Sequence, residues 1–437
     1  MKTDVRLSTK FVTAQNAHQV GVLVTLAGEA PVRRAPINIA LVLDRSGSMS
    51  GPPLAAAQEA AIRFARFLGP DDRLTVVTFD DHVRTIFGPS AGGDEAAAQA
   101  IAAVHEGGST NLSGGWLKGR AHVEKGLVEG VNRVVLLTDG MANAGIIEPS
   151  KLVDLARGAA TSRVSTTCIG FGAEFNEDLL RDMAAAGGAN YWYVERDDQM
   201  SGIFDEEIEG LVALAAQNLE VEVALAHSAV AGVSFLQSYP VIRTAQGDFR
   251  VALGDLYATS PRSLGLFLHV NDVGALGATK IAEVRVTADV VQPDGIAHEK
   301  LVLPVIANLD GADHVEPTVE RTFVRFEAAR AREEAVRRAD AGDLGGAAQA
   351  LEQVSATLSP YRAEPGVAEE MEDLADSAQR LMARDYSPLD RKYHGARAMA
   401  LRDEKAAYVG TMSRRRQRRA HHRLVQRPAP PAECPGQ

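Results

Sequence analysis

The sequence has few of the features that mark secreted or membrane-spanning proteins. Two cysteines occur among 437 residues, Cys168 within an apolar run and Cys434 near the end, so a disulfide framework is not expected. No long apolar run free of charges is present, which argues against a membrane-spanning helix. The first six residues, MKTDVR, lack the apolar core of a secretory signal. These absences predict a cytoplasmic protein.

The sequence also lacks the glycine-rich motifs that hold nucleotide phosphates. No Walker-type loop with Lys-Ser or Lys-Thr occurs, and Gly170-Phe171-Gly172 is not followed by the rest of a dinucleotide fingerprint. We therefore expect no nucleotide site. An apolar content of 46% over this length is enough for several domains with substantial cores.

The most informative stretch is residues 37–51, INIALVLDRSGSMSG. Its near-continuous apolar run is typical of a central parallel strand that is buried on both faces. The run ends at Asp44, and Ser46 and Ser48 follow in a turn that contains glycines, before a helix predicted over 54–68. The sequence thus predicts these three side chains at the carboxyl end of a parallel sheet, where open α/β folds bind ligands.

Two later segments supply matching oxygen side chains. Residues 107–112, GGSTNL, place Thr110 between two helical stretches, and residues 133–140, RVVLLTDG, form a second buried run that ends on Asp139. The D-x-S-x-S spacing, followed by this threonine and this aspartate, resembles the metal-ion-dependent adhesion site (MIDAS) of von Willebrand factor A domains. The resemblance covers about 180 residues and implies a doubly wound, Rossmann-like α/β domain.

The resemblance also implies a metal site with a defined division of roles. Ser46, Ser48 and Thr110 would touch the ion, while Asp44 and Asp139 would act largely through water. Oxygen ligands suit a hard cation, so we expect Mg²⁺, with Mn²⁺ or Ca²⁺ also acceptable. One coordination position would stay open for a carboxylate of a partner protein. The alternative is that Ser46 and Ser48 merely cap the following helix and turn.

The chain on either side of the A-domain has a different pattern. After residue 218, apolar and polar residues alternate with a period of two, which indicates strands with one solvent-exposed face. Two more predicted strands precede the A-domain. We therefore expect an antiparallel β-sandwich that either is interrupted by the A-domain or follows it. The predicted domains are N-terminal sandwich strands (1–32), the A-domain (37–217, closed by a helix over 200–217), the β-sandwich (218–310), a helical region (316–410, with helices over 316–341, 344–358, 367–384 and 394–408) and a basic, disordered tail (413–437).

The tail carries seven arginines and one glutamate. Such a run could contact nucleic acid or an anionic membrane surface. It could equally fold back on the acidic body of the protein, which has a net charge of −11 with the tail included, and we favour that alternative.

Two classes of function remain. The first is a non-enzymatic interaction protein whose metal ion holds an Asp or Glu of a partner. The second is a metal-dependent hydrolase that uses the same ion to activate water. A hydrolase would need a general base and a charge-stabilising group, and the site loops offer Arg45 and His105 at spacings with no matched arrangement. We therefore favour binding. Similarity to cytoplasmic A-domain proteins implies an AAA+ ATPase or a signalling protein as the type of partner.

Overall fold

The computed structural model describes residues 1–12, 17–30, 34–92, 95–271, 277–292 and 295–405. The chain forms two compact units, which are Met1–Glu320 with Ser387–Ala396, and Arg321–Tyr386 with the described residues from 397 on. The tail predicted over 413–437 lies outside the described residues, as does part of the stretch between the predicted N-terminal strands (1–32) and the A-domain (37–217). In the part of the chain that is described, no helix is both long and apolar enough to span a lipid bilayer.

The first unit begins with a β-hairpin. Its strands are β1 (Lys2–Val12) and β2 (Ala17–Ala27), which pair antiparallel along their whole length. On β2 the inward side chains Val20, Val22, Val24 and Leu26 are all fully buried, as expected for a strand with one face in a core.

A six-stranded sheet follows, in the order β5-β4-β3-β6-β7-β8. All pairs are parallel except the one between β4 and β5, so β5 is an antiparallel strand at one edge of the sheet. Every residue of β3 is buried, which explains its uninterrupted apolar run. The strands are β3 (Ile37–Asp44), β4 (Arg73–Phe79), β5 (Val83–Ala91), β6 (Val131–Thr138), β7 (Ser165–Phe171) and β8 (Gly188–Val194).

Helices complete a doubly wound α/β domain with these strands, which confirms the predicted fold class. They are α1 (Pro52–Phe67), α2 (Glu95–Ala102), α3 (Leu112–Lys125), α4 (Pro149–Thr161), α5 (Glu177–Ala186) and α6 (Met200–Val212). Helices α1 to α5 lie between these strands in the chain, and α6 follows β8.

The remaining strands of this unit form an antiparallel β-sandwich with the hairpin. One sheet has the order β1-β2-β13-β10 and the other β11-β12-β9-β14-β15, and their inner faces share one apolar core. The three-residue strand β11, exposed throughout, was not expected from the sequence. The strands are β9 (Leu214–Leu225), β10 (Val230–Phe235), β11 (Val241–Arg243), β12 (Phe249–Tyr257), β13 (Arg262–Asn271), β14 (Gly277–Gln292) and β15 (Gly295–Leu309).

The prediction of a helix over 200–217 was wrong at its end. Helix α6 stops at Val212, and residues from Leu214 onward already belong to β9. Ala216 pairs with Leu256, and Leu214 with Tyr257, both on β12. Leucine and alanine favour helix locally, but here the partner strand provides the hydrogen bonds of their backbone, so tertiary pairing overrides the local propensity.

Strand β2 joins sequence from both sides of the A-domain, because it pairs with β13 from Leu26 opposite Arg262 to Ala17 opposite Asn271. On this pairing we propose that residues 1–32 and 218–310 fold as one sandwich domain into which 37–217 is inserted.

We expect a chain shortened to begin at Ile37 to retain the α/β domain but to lose a stable sandwich. The deletion removes four fully buried apolar side chains of β2, each contributing about 1.5–3 kcal/mol, and exposes an edge of β13. Limited proteolysis of both forms measures this, and rapid cleavage within residues 214–309 is expected in the shortened chain alone. Equal resistance of that region in the two forms would contradict the insertion.

The helical elements near the carboxyl end are α7 (Pro317–Asp340), α8 (Leu344–Leu358), α9 (Val367–Met382) and α10 (Pro388–Arg402). The second unit has its own core, in which Leu374, Ala378 and Leu381 of α9 lie buried. Between α7 and α8, Gly342 has a positive φ of 83° and the Asp343 side chain accepts a hydrogen bond from the N–H of Gly346 at 2.8 Å.

The start predicted for the last helix, residue 394, was six residues late. Ser387 and Asp390 form reciprocal hydrogen bonds between side chain and backbone at its true start, with Pro388 in the first helical position. This capping box, Ser-Pro-Leu-Asp, is a recognisable sequence signal for a helix start. The prediction missed it because it relied on the periodicity of apolar residues.

Candidate metal centre

The loop after β3 folds back on the carboxylate that ends the strand. Asp44 is fully buried, and its Oδ1 accepts a hydrogen bond from the N–H of Ser46 at 2.8 Å. The hydroxyl oxygens of Ser46 and Ser48 lie 3.2 Å apart. Neither serine side chain caps a helix, since α1 has Gly51 at its N-cap and the short 3-10 turn over Gly47–Met49 receives no side-chain cap bond. The capping alternative was therefore wrong.

The end of β6 brings the second carboxylate to the same place. Strands β3 and β6 are parallel neighbours, so their carboxyl ends meet at one edge of the sheet. The Ser48 hydroxyl donates to Asp139 Oδ1 at 2.7 Å, and the Thr138 hydroxyl donates to Asp44 Oδ2. These bonds connect the two strand ends directly.

The loop between α2 and α3 brings Thr110 to this edge. Its N–H donates to Asn143 Oδ1 at 2.8 Å, and its carbonyl accepts from the N–H of Asn143 at 3.2 Å. A Cβ built on Gly140 would lie 3.1 Å from Thr110 Oγ1 and 3.7 Å from Ser48 Oγ, so both hydroxyls lie beside the residue that follows Asp139. The structure thus gathers all five predicted side chains at one site, and their role as metal ligands remains a prediction.

Sequence reasoning missed the residues that position the threonine loop. Asp80 follows β4 directly, and its Oδ2 accepts from Arg45 Nη2 at 2.6 Å and from the N–H of Gly108 at 3.2 Å. Arg45 also donates to the carbonyl of His105 at 3.0 Å. A carboxylate directly after a buried strand was the available signal, the same one that identified Asp44 and Asp139.

Asp80, Asp81 and His82 form a second acidic group near the site, with ligand atoms within 4.8 Å of one another, close enough to surround a cation. Burial would raise the pKa of Asp80, but hydrogen bonds from the backbone N–H groups of His82 and Gly108, and the charge of Arg45, hold this pKa below its ordinary value. Both carboxylate oxygens of Asp80 already accept hydrogen bonds, so we assign to Asp80 the role of fixing the loop that carries Thr110.

The electrostatics of the five-residue site favour a bound cation. Burial raises the pKa of Asp44 to about 6 and raises the pKa of Asp139 as well, with a further contribution from the charge of Glu174. Within the described residues, neither carboxylate forms an ion pair with lysine or arginine. Two buried carboxylates and three hydroxyls match the oxygen ligands of a hard divalent cation, which would supply the missing positive charge. The residues present therefore fit such an ion.

Residues 38–206 match the family model for the von Willebrand factor type A domain. The chain contains a von Willebrand factor A-domain. A-domains commonly mediate protein–protein interactions and metal-dependent adhesion, and homologues of this A-domain are typically non-enzymatic interaction modules.

The known proteins that are similar to this chain differ in how much of it they cover. An uncharacterized protein of Synechocystis sp. is 27% identical over 365 residues, which are 81% of this chain and 86% of that protein. Inter-alpha-trypsin inhibitor heavy chain H4 of Sus scrofa is 32% identical over 193 residues, 41% of this chain and 21% of that protein. The first similarity therefore extends well beyond the A-domain, and the second spans about a fifth of its relative.

Two solved structures share the fold over most of the chain. A von Willebrand factor type A protein from Catenulispora acidiphila has a TM-score of 0.65 at 18% identity, covering 84% of this chain and 88% of that one. The ArnB paralog VWA2 from Sulfolobus acidocaldarius has a TM-score of 0.54 at 14% identity, covering 87% and 97%. At these identities the likeness concerns the fold alone.

Proposed function

We propose that this protein is a non-enzymatic interaction protein that binds one Mg²⁺ at the site formed by Asp44, Ser46, Ser48, Thr110 and Asp139. Mn²⁺ or Ca²⁺ would suit the same oxygens. The proposal rests mainly on the carboxylates of Asp44 and Asp139, which lie buried among three hydroxyls. Among the residues that the structure describes, no lysine or arginine forms an ion pair with either carboxylate.

The ion in this proposal keeps a position open for a partner. Three of the five side chains are neutral, so much of the charge of the ion remains uncompensated, and an incompletely neutralised Mg²⁺ attracts an anion more strongly than a neutral carbonyl. Ser48 is exposed to solvent while Asp44 and Ser46 are buried, which makes the site accessible from one side. We propose that an exposed Asp or Glu of another protein occupies the open position.

The hydrogen bonds of Arg45 favour a binding function over a hydrolytic one. A hydrolase that uses this ion would need a cationic group free to stabilise developing charge. The guanidinium of Arg45 instead bonds Asp80 and the His105 carbonyl, and so stabilises the two site loops.

The proposal also includes a type of partner and a cellular location. An AAA+ ATPase or a signalling protein that presents an exposed Asp or Glu is the type of partner we propose to test first. A cytoplasmic location is supported by the low cysteine content and by Cys168, which is a buried free thiol in β7.

Capture of a partner from lysate should require both the metal and the geometry of the site. Thr110→Ala removes one hydroxyl without changing formal charge, and Asp139→Asn removes one charge at nearly constant shape. We expect each variant, and wild type in EDTA, to retain roughly tenfold less partner than wild type in Mg²⁺. Quantitative mass spectrometry of the captured proteins measures this.

The matched control is Ser109→Ala, which removes an exposed hydroxyl next to Thr110 and should retain the partner fully. A partner that is held equally in EDTA and by Thr110→Ala would show that binding does not use the metal.

A further inference from the structure

Two consecutive cationic residues of α10, Arg391 and Lys392, bind the start of α5. They lie in Ser387–Ala396, which belongs to the same compact unit as the A-domain. The guanidinium of Arg391 donates to Glu177 and, at 3.0 Å, to Asp178 Oδ2. The ammonium nitrogen of Lys392 lies 3.0 Å from Glu177 Oε2. Ion pairs from α10 therefore hold the first turn of α5 in place.

Lys392 also holds the loop between β7 and α5, residues 172–176. Its Nζ donates to the carbonyl of Phe175 at 2.7 Å and lies 3.7 Å from the centre of the Phe175 ring. Lys392 is 4% exposed and Phe175 is 3% exposed, so solvent is excluded from this contact. A buried ammonium is costly unless other groups compensate its charge, and Glu177 and Phe175 provide that compensation here. The loop is thus held by a buried, charged contact with α10.

This loop lies beside the strand that ends at the metal centre. The ring of Phe175 packs so closely on Gly170 that a Cβ there would lie 2.3 Å from it. Gly170 of β7 pairs with Thr138 of β6, the residue before Asp139. The contact between Phe175 and Gly170 therefore fixes the loop relative to the carboxylate of Asp139.

The same loop carries an exposed carboxylate, that of Glu174. Burial and, after it, the charge of Glu174 raise the pKa of Asp139. A negative charge that acts at Asp139 also attracts a cation bound there. Glu174 thus adds to the negative charge at the metal centre without being one of its five predicted ligands.

We propose that Arg391 and Lys392 are positioning residues of the metal centre, which hold residues 172–176 so that the carboxylate of Glu174 stays near the cation. This inference rests on the proposed metal site and adds a distant element, α10, that tunes the affinity of the site. Displacement of α10 from the loop would weaken metal binding and, through the metal, the capture of an acidic partner.

Isothermal titration calorimetry of the full chain with Mn²⁺ tests the inference on Lys392→Met, on Glu174→Gln and on the chain with both changes. Each single substitution should weaken Mn²⁺ binding roughly threefold, because solvent partly screens the charge of an exposed carboxylate. Loss of a positive charge by itself would strengthen cation binding, so weakening in Lys392→Met indicates movement of the loop. With Glu174→Gln already present, Lys392→Met should weaken binding no further.

A second measurement separates this positioning role from a general loss of stability. Hydrogen–deuterium exchange of residues 172–178 should become faster in Lys392→Met while β3 and β6 stay protected. Arg391→Met changes a side chain that is 25% exposed, and it should show the same two effects if Lys392→Met does not fold. The matched control Lys151→Met removes an exposed ammonium of α4 and should not weaken Mn²⁺ binding or speed exchange in the loop.

Each other result contradicts a definite part of this account. A loss of Mn²⁺ affinity that is equally large with and without Glu174 would overturn the inference. Unchanged affinity in Glu174→Gln, or in a variant whose loop exchanges faster, would overturn it as well. Absence of Mn²⁺ binding by the unaltered chain would instead overturn the proposed function itself.

Discussion

Replacing Asp44 by asparagine should weaken Mn²⁺ binding by about 10-fold to 100-fold. The substitution keeps the shape of the side chain and removes one of the two negative charges that balance the ion. Because burial already disfavours the charged form of Asp44, the neutral variant should fold without the metal. Isothermal titration calorimetry with Mn²⁺ measures the affinity, and circular dichroism checks the fold.

The control for this experiment is Asp81→Asn, which removes an exposed carboxylate of the neighbouring acidic group. Its charge is well solvated, so Mn²⁺ affinity should stay nearly unchanged. If Asp81→Asn lost the metal while Asp44→Asn kept it, the cation would be held by Asp80, Asp81 and His82, and the assignment to the five-residue site would be wrong.

A second large effect is expected at Arg133, which is fully buried on β6. Its guanidinium bonds Glu207 of α6 at 2.9 Å, Asp255 of β12, and the Ser165 hydroxyl at 3.0 Å. Burial alone would lower the pKa of Arg133, but the charges of the two carboxylates raise it above its ordinary value. The A-domain and the sandwich thus share one buried ion cluster.

Glu207 is the most fully bonded member of this cluster. Besides Arg133, it accepts hydrogen bonds from Thr167 at 2.7 Å and from Asn190 and Trp192 at 2.8 Å each. Burial raises the pKa of Glu207, but the charge of Arg133 and these hydrogen bonds outweigh it and keep the pKa below its ordinary value. The carboxylate of Glu207 therefore remains charged, and its burial is stabilised by the charge of Arg133.

We expect Arg133→Met to lower the free energy of unfolding by about 3–5 kcal/mol, because it leaves two buried carboxylates without their cation. Urea denaturation followed by tryptophan fluorescence measures this well, since Trp192 donates to Glu207 itself. The control Arg163→Met breaks a solvent-exposed pair with Glu129 and should cost no more than about 1 kcal/mol. Equal small losses in both variants would show that the buried cluster adds little to stability.

Much of the α/β fold and the composition of the site could be predicted from short segments. The apolar run that ends at Asp44, and the similar run that ends at Asp139, indicate adjacent buried strands because strands covered on both faces need apolar residues at every position. Parallel pairing then brings their carboxyl ends together, so local patterns were enough to place both carboxylates and the serine loop at one edge.

Features that depend on distant partners could not be predicted in this way. Nothing in the local pattern around Arg133 or Glu207 shows that these charges are buried together, since each is tolerated in the core only because the other is there. The strand conformation of residues 214–217 likewise depends on pairing with β12. The position of Thr110 depends on the hydrogen bonds that Asp80 and Asn143 form with its loop.

Apolar periodicity and residue chemistry are local properties, so the amino-acid sequence was enough to predict which strands are buried on both faces and which side chains with oxygen ligands follow them. The pairing of β2 with β13, and the bond from the guanidinium of Arg133 to Asp255 of β12, became evident only in the tertiary structure. These features arise from contacts between residues far apart in the chain, and such contacts form only when the elements pack together.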